Sequence, residues 1–387
     1  MTRRPTGAGT LLLAGGGSGG HIYPNVAIAE QLAAAGSRLQ PLYAVSERPI
    51  DRTVCEGLGG EAWAALPAVP MTMHPVRMWR WWKGHRAAIE LCEQLIRERG
   101  VTAVVSTGGF VGGPAVAAAS RQGVPSCLVN LDAVPGKANR WSARRADEVF
   151  TAYDGTGLPR AQRVGVPLRE ASRATHKPEA ARWQLGLSPD KPTLLVTAGS
   201  QGATSINAAM VELVGRTVGR RALKNWEVVH LTGSAEGEAQ RAAEAYERLG
   251  VRAVVEPFRD DMGLAWSAAE LAVCRAGAGT VAEAWASGTP AVFLPYPHHR
   301  DQHQRHNAEP LVRAGGALLA DDHVDPVATV GGLLGRVVEL LSNAARREAM
   351  RQSLMRSRPP DGAGAVARWA MGAGSSRPAG TSASGVG

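Results

Sequence analysis

Two segments of the chain share one pattern: a short apolar run, a glycine-rich loop and a helical stretch. The first is Thr10–Gly36, TLLLAGGGSGGHIYPNVAIAEQLAAAG, and the second is Pro192–Thr217, PTLLVTAGSQGATSINAAMVELVGRT. Neither apolar run alternates with polar residues, which indicates a parallel strand buried on both faces. Apolar residues then recur at helical spacing, as at Val26, Ala29 and Ala33. The chain therefore contains one strand–loop–helix unit twice.

Further apolar runs of the same kind surround each unit. They are Leu39–Val45, Ala103–Ser106, Ser126–Val129 and Glu148–Thr151 in the first half, and Val228–Thr232, Ala253–Glu256, Leu271–Cys274 and Ala291–Leu294 in the second. Strands that alternate with helices form βαβ units and parallel sheets. We therefore predict an α/β protein of two Rossmann-like, doubly wound domains that face each other across a cleft.

Prolines between Gly165 and Lys191 interrupt any long element and mark the boundary between the two domains. We predict an N-terminal domain over residues 1–165 and a C-terminal domain over residues 166–371. The prediction allows the last helix of the second domain to pack on the first domain. Residues 372–387 are rich in Gly, Ser and Ala and are predicted to be disordered.

Composition narrows the class of protein and of partner. Lys and Arg number 43 against 34 Asp and Glu, and the resulting net charge of +9 favours phosphates, anionic lipids or nucleic acid as partners. The four cysteines lie far apart without a CxxC pair, so we expect neither a disulfide framework nor a zinc site. No apolar run approaches the roughly 20 residues of a membrane-spanning helix, and we expect a soluble, cytoplasmic protein.

Three glycine loops follow predicted strands. Gly15–His21 matches both the dinucleotide pattern G-x-G-x-x-G and the nucleophile-elbow pattern G-x-S-x-G, and a tight strand-to-helix turn without a ligand is the less favoured alternative. Gly108–Pro114 contributes Gly108, Gly109, Gly112 and Gly113, and Gly199–Gly202 opens the second half. Because open α/β sheets bind ligands at the carboxyl ends of their strands, the three loops together predict a diphosphate ligand. His21 lies at the start of the first helix and is a candidate general base. The alternative is a residue that caps or packs against that helix.

The segment Cys274–Ala317 is the richest in polar groups. Glu283 is a candidate acceptor for a ribose diol, and Asp301, Gln302, Gln304 and Asn307 suit the hydroxyls of a sugar. Its histidines are His298, His299, His303 and His306. They lack an H-E-x-x-H arrangement and a cysteine partner, so we interpret most of them as part of a solvated basic loop rather than as metal ligands.

A basic, tryptophan-rich segment lies at Met71–Arg86, within a stretch from Ala62 to Ile89 that has no Asp or Glu. Trp79, Trp81, Trp82 and Lys83 form a candidate membrane patch, because tryptophan prefers the membrane interface and cations are drawn to anionic headgroups. A core helix with a basic face is the alternative. Single-stranded nucleic acid is disfavoured, since no RNP, KH or helix-turn-helix pattern accompanies the segment.

The combination of GGSGGH, GGFVGGP, GSQGA and CRAGAGTVAEAWASGTPAVFLPYP with the later DQHQ and NA, running from about Leu11 to about Ala320, resembles the MurG family of N-acetylglucosaminyltransferases. The resemblance implies two Rossmann-like domains, with UDP-N-acetylglucosamine held mainly by the second. It also implies a lipid-linked acceptor and a peripheral position on the cytoplasmic face of the inner membrane, reached through the tryptophan-rich segment.

The resemblance carries over to individual residues, with His21 as the base. The donor-binding positions that it implies are Ser18, Gly19, Gly20, Asp132, Arg169, Ser200, Arg259, Ala278, Gly279, Thr280, Val281, Ala282, Glu283 and Gln304. The loops with Gly108, Gly109, Gly112 and Gly113 would then receive the acceptor diphosphate. The chain departs from the family where a His-Glu-Gln-Asn run is usual and Val129–Asp132 reads VNLD, which leaves the acceptor open.

The function expected is inverting transfer of N-acetylglucosamine from UDP-N-acetylglucosamine to undecaprenyl-diphospho-N-acetylmuramoyl-pentapeptide. No DxD signature accompanies the donor motifs, so we expect neither a metal nor another cofactor to be required, and we expect no nucleic-acid partner. The alternatives are transfer to another lipid or natural-product acceptor, epimerisation of UDP-N-acetylglucosamine, and a non-catalytic membrane-binding protein. An NAD-dependent oxidoreductase is less favoured, because Glu47 follows Gly20 by 27 residues, which is late for a ribose-binding acid.

Overall fold

The computed structural model describes residues 9–58, 62–71, 74–199 and 202–375. The strands of these segments form two sheets, and every pairing between neighbouring strands is parallel. Helices alternate with strands along the chain, as a parallel sheet requires. The predicted fold class, an α/β protein with two Rossmann-like sheets, is confirmed.

The first sheet has seven strands in the order β3-β2-β1-β4-β5-β6-β7. The strands are β1 Thr10–Ala14, β2 Gln40–Ser46, β3 Ala62–Leu66, β4 Val101–Ser106, β5 Ser126–Asn130, β6 Glu148–Thr151 and β7 Ala161–Arg163. The helices of this unit are α1 Gly19–Ala34, α2 Pro49–Glu56, α3 Pro75–Arg99, α4 Gly109–Gln122, α5 Lys137–Ser142 and, at the end of the chain, α15 Gly362–Ser375.

Strand β1 lies at the centre of this sheet, where Leu12 pairs with Leu42 on β2 and with Val104 on β4. All five of its residues are buried, which explains its unbroken apolar sequence. The strand order reverses between β1 and β4, and this reversal makes a topological switch point. The loops that follow β1 and β4 therefore leave the sheet side by side, at its carboxyl edge.

The second sheet repeats the scheme with six strands in the order β10-β9-β8-β11-β12-β13, and its switch point lies between β8 and β11. The strands are β8 Thr193–Thr197, β9 Glu227–Leu231, β10 Ala253–Glu256, β11 Ala269–Cys274, β12 Ala291–Phe293 and β13 Ala317–Leu319. The helices are α6 Pro178–Gln184, α7 Thr204–Gly215, α8 Thr217–Ala222, α9 Glu238–Arg248, α10 Met262–Ala268, α11 Ala278–Ser287, α12 His303–Arg313, α13 Pro326–Ser342 and α14 Ala344–Arg356, and a 3₁₀ turn spans Glu170–Ser172.

The contacts divide the chain into two units that the prediction bounded differently. Unit 1 ends at Leu131, resumes over Pro135–Arg169 and takes up the chain again from Asp361, whereas unit 2 comprises Asp132–Val134 and Glu170–Pro360. The end of the predicted C-terminal domain therefore belongs to unit 1. The reason is packing: α15 contacts α1 and β4, and Gly362 lies so close to the Gly165 carbonyl that a Cβ atom would come within 2.2 Å of it.

The prediction of a disordered tail concerns residues that lie outside the described part of the chain beyond residue 375. Among the described helices, none is both long enough and apolar enough to cross a membrane. The four cysteines are buried, free thiols.

Candidate functional site

His21 lies in the first turn of α1, directly after the loop that follows β1. Its Nδ1 lies 3.0 Å from the carbonyl oxygen of Thr107, in the loop after β4. The Thr107 hydroxyl in turn donates to the His21 carbonyl at 2.6 Å. A carbonyl can only accept, so Nδ1 carries the proton and Nε2 is left as the proton acceptor of the ring. The fold thus fixes Nδ1 of the half-buried ring as a donor, and Nε2 is the proton acceptor of the neutral imidazole.

The glycine loop before His21 is hydrogen-bonded to Asp51, a fully buried residue of α2. Asp51 Oδ2 accepts from the Gly17 amide at 2.6 Å and from the Ser46 amide and hydroxyl at 2.9 and 2.5 Å. Arg48 Nη1 donates to the Gly17 carbonyl at 2.7 Å. Both backbone groups of Gly17 are therefore fixed, at a φ of +88° that favours glycine.

This anchoring limits what the first glycine loop can bind. The Gly15 amide donates to the Ala44 carbonyl at 3.0 Å, and the Gly17 amide is bonded to a carboxylate. These two amides are engaged within the fold, and the buried carboxylate would repel a phosphate placed against Gly17. The predicted diphosphate cradle accordingly lacks two of its amides, and the geometry favours a loop that presents His21.

The second glycine loop packs against His21 within the same unit. A Cβ atom on Gly109 would lie 3.2 Å from His21 Cδ2, and one on Gly108 would lie 2.6 Å from Asn139 Oδ1. Both glycines have φ in the left-handed region, at +93° for Gly108 and +71° for Gly109. Glycine is required here by close approach as well as by backbone conformation. The structure thus brings His21 and the Gly108–Gly109 turn together, while Gly112 and Gly113 lie buried inside α4.

Arg169 is also buried, at the end of the Pro135–Arg169 part of unit 1. Its guanidinium carbon lies 3.9 Å from the centre of the Tyr23 ring, two residues beyond His21 on α1. This cation–π contact orients Arg169.

The predicted donor turn is the N-terminal end of α11. Gly277 precedes the helix and Ala278 and Gly279 are half-buried, so the end of a ten-residue helix is accessible there. Thr280, Val281 and Ala282 are buried in the core, and the Val281 amide donates to the Gly277 carbonyl at 2.9 Å, so the backbone amides that remain for a ligand are those of the first residues of the helix. Glu283 is half-buried, and its Oε2 accepts from Trp266 Nε1 at 2.9 Å. This hydrogen bond fixes one carboxylate oxygen.

Asp132 is held by Asn307, a fully buried residue of α12. Asn307 Nδ2 donates to Asp132 Oδ1 at 2.8 Å and contacts the Ala276 carbonyl at 3.4 Å, while its Oδ1 accepts from the Ala133 amide at 2.8 Å. The expectation that Asn307 reads sugar hydroxyls is therefore wrong, because its amide is buried and its hydrogen bonds are made within the protein. Asp132 thus lies beside the loop between β11 and α11, bonded to the Asn307 amide.

The remaining predicted residues of unit 2 lie on loops or helix ends. Gln304 is half-buried, and its Oε1 accepts from the Tyr296 amide at 2.9 Å, which ties the start of α12 to the loop after β12. Arg259 forms an ion pair with Glu256 at the end of β10. Ser18 precedes α1, Gly19 is buried and Gly20 is exposed in its first turn. Ser200 lies outside the described residues.

Sequence reasoning missed a buried ionic network at the carboxyl edge of the second sheet. Arg275 follows β11, and its Nη1 lies 2.6 Å from Asp322 Oδ2. Ser205 donates to the same Asp322 oxygen at 2.7 Å and accepts from Arg275 Nη2 at 2.8 Å. Arg275 also donates to the Leu294 carbonyl at 3.0 Å. The network joins the residues that follow β11, β12 and β13 to the start of α7. It therefore fixes the backbone that leads into the predicted donor turn.

The tryptophans of α3 divide between two environments. Trp79 and Trp82 are 57% and 52% exposed, and the ammonium of Lys83 lies 4.0 Å from the centre of the Trp79 ring. Trp81 instead stacks on His85 at 5.3 Å. Burial, followed by the charge of Arg121, lowers the pKa of His85. Trp81 is therefore in part a packing residue, and the exposed part of the predicted patch is Trp79, Trp82 and Lys83.

Comparison with known proteins identifies the family. Residues 11–151 match the glycosyltransferase family 28 N-terminal domain, and residues 193–364 match the glycosyltransferase family 28 C-terminal domain. A relative from Clavibacter michiganensis subsp. michiganensis is 36% identical over 377 residues, which cover 95% of this chain and 98% of the relative. The chain belongs to glycosyltransferase family 28.

The family 28 assignment makes the protein a glycosyltransferase and confirms the resemblance drawn from its motifs. The Clavibacter relative is named UDP-N-acetylglucosamine–N-acetylmuramyl-(pentapeptide) pyrophosphoryl-undecaprenol N-acetylglucosamine transferase. Among solved structures, MurG of Acinetobacter baumannii is similar with a TM-score of 0.67 and 24% identity, covering 94% of this chain and 99% of that one. A UDP-N-acetylglucosamine 2-epimerase from Listeria monocytogenes is similar with a TM-score of 0.63 and 13% identity, covering 93% of this chain and 94% of that one. Both structural likenesses concern the fold.

Proposed function

We propose that this family 28 glycosyltransferase moves N-acetylglucosamine from UDP-N-acetylglucosamine to an N-acetylmuramyl-pentapeptide carried on pyrophosphoryl-undecaprenol. The observation that carries the proposal is the relative of that name, which is 36% identical and aligns over 95% of this chain. The epimerase alternative rests on a structural likeness at 13% identity, which concerns the fold alone.

In this mechanism His21 acts as the general base. Its Nδ1–H is occupied by the Thr107 carbonyl, so Nε2 takes the proton from the acceptor hydroxyl as that oxygen bonds to the anomeric carbon of the donor sugar. The bond from the anomeric carbon to the phosphate oxygen breaks on the opposite side, and UDP leaves with that electron pair. The configuration at the anomeric carbon is inverted, and atoms and charges balance without a cofactor.

The donor is held by unit 2 in this proposal. The N-terminal end of α11 offers backbone amides and the positive end of a helix dipole, which stabilise charge that develops on the leaving diphosphate. Glu283, whose Oε2 accepts from Trp266 Nε1, binds the ribose hydroxyls, and Gln304 faces the sugar through its amide NH2. Asp132, Arg259 and Ser200 are the other predicted donor residues of unit 2, and Ser18, Gly19, Gly20 and Arg169 are those of unit 1.

The acceptor side belongs to unit 1. We propose that the Gly108–Gly109 turn, at the start of α4, receives the acceptor diphosphate beside His21. Trp79, Trp82 and Lys83 contact the membrane that contains the undecaprenyl chain, so the enzyme works peripherally on the cytoplasmic leaflet. Nucleic acid has no part in this function.

The test is transfer of labelled N-acetylglucosamine to a short-chain analogue of the muramyl lipid by the purified protein. His21→Ala should lower turnover by about 10²- to 10⁴-fold, the usual contribution of a general base, while UDP-N-acetylglucosamine still binds. His176→Ala, an exposed histidine of unit 2, is the matched control and should keep full activity. Incubation with UDP-N-acetylglucosamine alone separates the alternative, since epimerisation without acceptor would refute the transferase proposal.

A further inference from the structure

The loop between β12 and α12 brings together three potential metal ligands that the proposed reaction does not use. Ligand atoms of His299, Asp301 and His303 all lie within 4.8 Å of one another. Asp301 Oδ1 and His303 Nδ1 are 2.9 Å apart, and the rings of His299 and His303 stack with centroids 4.4 Å apart. The three side chains therefore converge on one point.

The backbone explains why they converge. Gln302 has a φ of +46°, in the left-handed region that a residue other than glycine seldom adopts. Its amide donates to the His299 carbonyl at 3.0 Å, which closes a tight turn. The His303 amide then contacts Asp301 Oδ1 at 3.3 Å as α12 begins. Alternate residues of the turn are thus folded onto the same side.

We propose that His299, Asp301 and His303 bind one divalent cation of the zinc type, with solvent in the remaining position. Two imidazoles and one carboxylate suit Zn²⁺ and its neighbours in the first transition row, whereas Mg²⁺ and Ca²⁺ prefer an all-oxygen set. Bonds of about 2.0–2.2 Å to a tetrahedral ion place ligand atoms roughly 3.4 Å apart. Asp301 Oδ1 and His303 Nδ1 are already near that separation, joined by a hydrogen bond at 2.9 Å. When the ion binds, the proton between them leaves Nδ1 for solvent or for Nε2, and His299 reaches the ion by rotation of an exposed side chain.

The protonation states agree with this geometry. Partial burial and the neighbouring His303 lower the pKa of His299, which keeps its ring neutral at pH 7. Partial burial of Asp301 acts to raise its pKa, but hydrogen bonds from His303 outweigh it and the pKa lies below the ordinary value. A neutral imidazole and an ionised carboxylate are the forms that ligate a metal. A bound ion would tie the loop to the first residue of α12, adjacent to Gln304.

The experiment is titration of tag-free, chelator-treated full-length protein with Zn²⁺ in competition with a chromophoric chelator, followed by Co²⁺ absorption spectroscopy. We expect one site per chain and a d–d spectrum typical of four-coordinate Co²⁺. The double variant His299→Asn, His303→Asn should lose at least tenfold in affinity and the spectrum. The matched control His176→Asn, His323→Asn, which removes two other exposed histidines of unit 2, should change neither.

Two outcomes would overturn the proposal. One is equal Zn²⁺ affinity in the wild-type protein and the His299→Asn, His303→Asn variant, with both variants folded by circular dichroism. The other is a wild-type protein that takes up no ion in the micromolar range. Because the readout is binding and spectrum, the result is independent of whether the protein transfers N-acetylglucosamine.

Discussion

Replacement of Asp51 tests whether the buried carboxylate fixes the loop that presents His21. In Asp51→Ala, the amides of Gly17 and Ser46 and the Ser46 hydroxyl lose their acceptor, and all three lie in buried residues. A buried donor without a partner costs about 1–3 kcal/mol, and partial relaxation brings the expected loss to roughly 3–5 kcal/mol of unfolding free energy. Asp51→Asn keeps the shape and a neutral acceptor, so its loss should be about 1–2 kcal/mol.

The effect on catalysis follows from the position of Gly17 between Asp51 and His21. With its amide released, Gly17 no longer has to keep its left-handed φ of +88°, and the turn that carries His21 loses its fixed orientation. Misplacement of a base by about 1 Å can cost on the order of 10²-fold in rate. We expect kcat of Asp51→Ala to fall by about 10- to 100-fold, and the KM for UDP-N-acetylglucosamine shows whether the neighbouring Ser18, Gly19 and Gly20 also hold the donor.

The assay combines urea unfolding with transfer kinetics at a temperature where the variants are folded. Asp154→Ala is the matched control, because Asp154 is an exposed acid of the same unit that forms a surface ion pair with Arg163. It should change stability by less than about 1 kcal/mol and leave kcat unchanged. If Asp51→Ala is destabilised but retains wild-type kcat, the carboxylate supports the fold without positioning His21. A stability loss below 1 kcal/mol would refute the hydrogen-bond network itself.

Three further predictions concern other parts of the two units. Gly109→Ala, which adds a Cβ atom 3.2 Å from His21 Cδ2 at a φ of +71°, should lower kcat, whereas Gly136→Ala, where nothing lies within 4 Å, should not; equal kinetics would refute the close packing. The double variant Trp79→Ser, Trp82→Ser should bind anionic vesicles roughly tenfold or more weakly in a sedimentation assay, because burial of each half-exposed ring in the membrane contributes about 1 kcal/mol of binding free energy. Trp183→Ser, which removes a 72% exposed tryptophan of unit 2, should have no effect in the same assay. Burial lowers the pKa of His230 to about 4 from 6.5, so the unfolded chain binds this proton first as the pH falls; stability should be full above pH 6.5 and about 2 kcal/mol lower at pH 5, a loss that urea titration should not find in a folded His230→Gln variant.

The central strands were predictable because burial on both faces leaves an unbroken apolar run. Glu148–Thr151 and Ala253–Glu256 match the prediction, and the other predicted strands differ by one or two residues at one or both ends. The missed strands are β3, β7 and β13, which lie at or near the edges of the sheets. β7 is three exposed residues, AQR, and its pairing with β6 depends on backbone hydrogen bonds that no side-chain pattern reports.

The candidate site was predictable where a loop carries its own signature and unpredictable where it depends on distant partners. The glycine runs placed His21 at a helix start, but the bond from Gly17 to Asp51 joins residues 34 positions apart. The sequence did contain one local signal. Asp51 and Cys55 lie four residues apart, on the buried face of α2, and a buried carboxylate needs a hydrogen-bond donor. The prediction for Asn307 was wrong because the sequence does not report burial. An exposed amide there would suit a sugar hydroxyl, but this amide is fully buried.

The two switch points show how one scheme serves two chemistries. In unit 1 the amides of Gly15 and Gly17 are bonded to a carbonyl and a carboxylate, so the loop after β1 has two amides fewer for an anion and presents the imidazole of His21. In unit 2 the buried charge after β11 is Arg275, which is paired with Asp322 and leaves the half-buried end of α11 accessible. A carboxylate behind a loop suits a proton acceptor, because the imidazolium that forms is stabilised rather than repelled. An accessible helix N-terminus suits a leaving diphosphate, because its dipole opposes the developing charge. The two switch points therefore differ in what they leave accessible: the imidazole of His21 in unit 1, which we propose as the base, and a helix N-terminus in unit 2, which we propose for the leaving diphosphate.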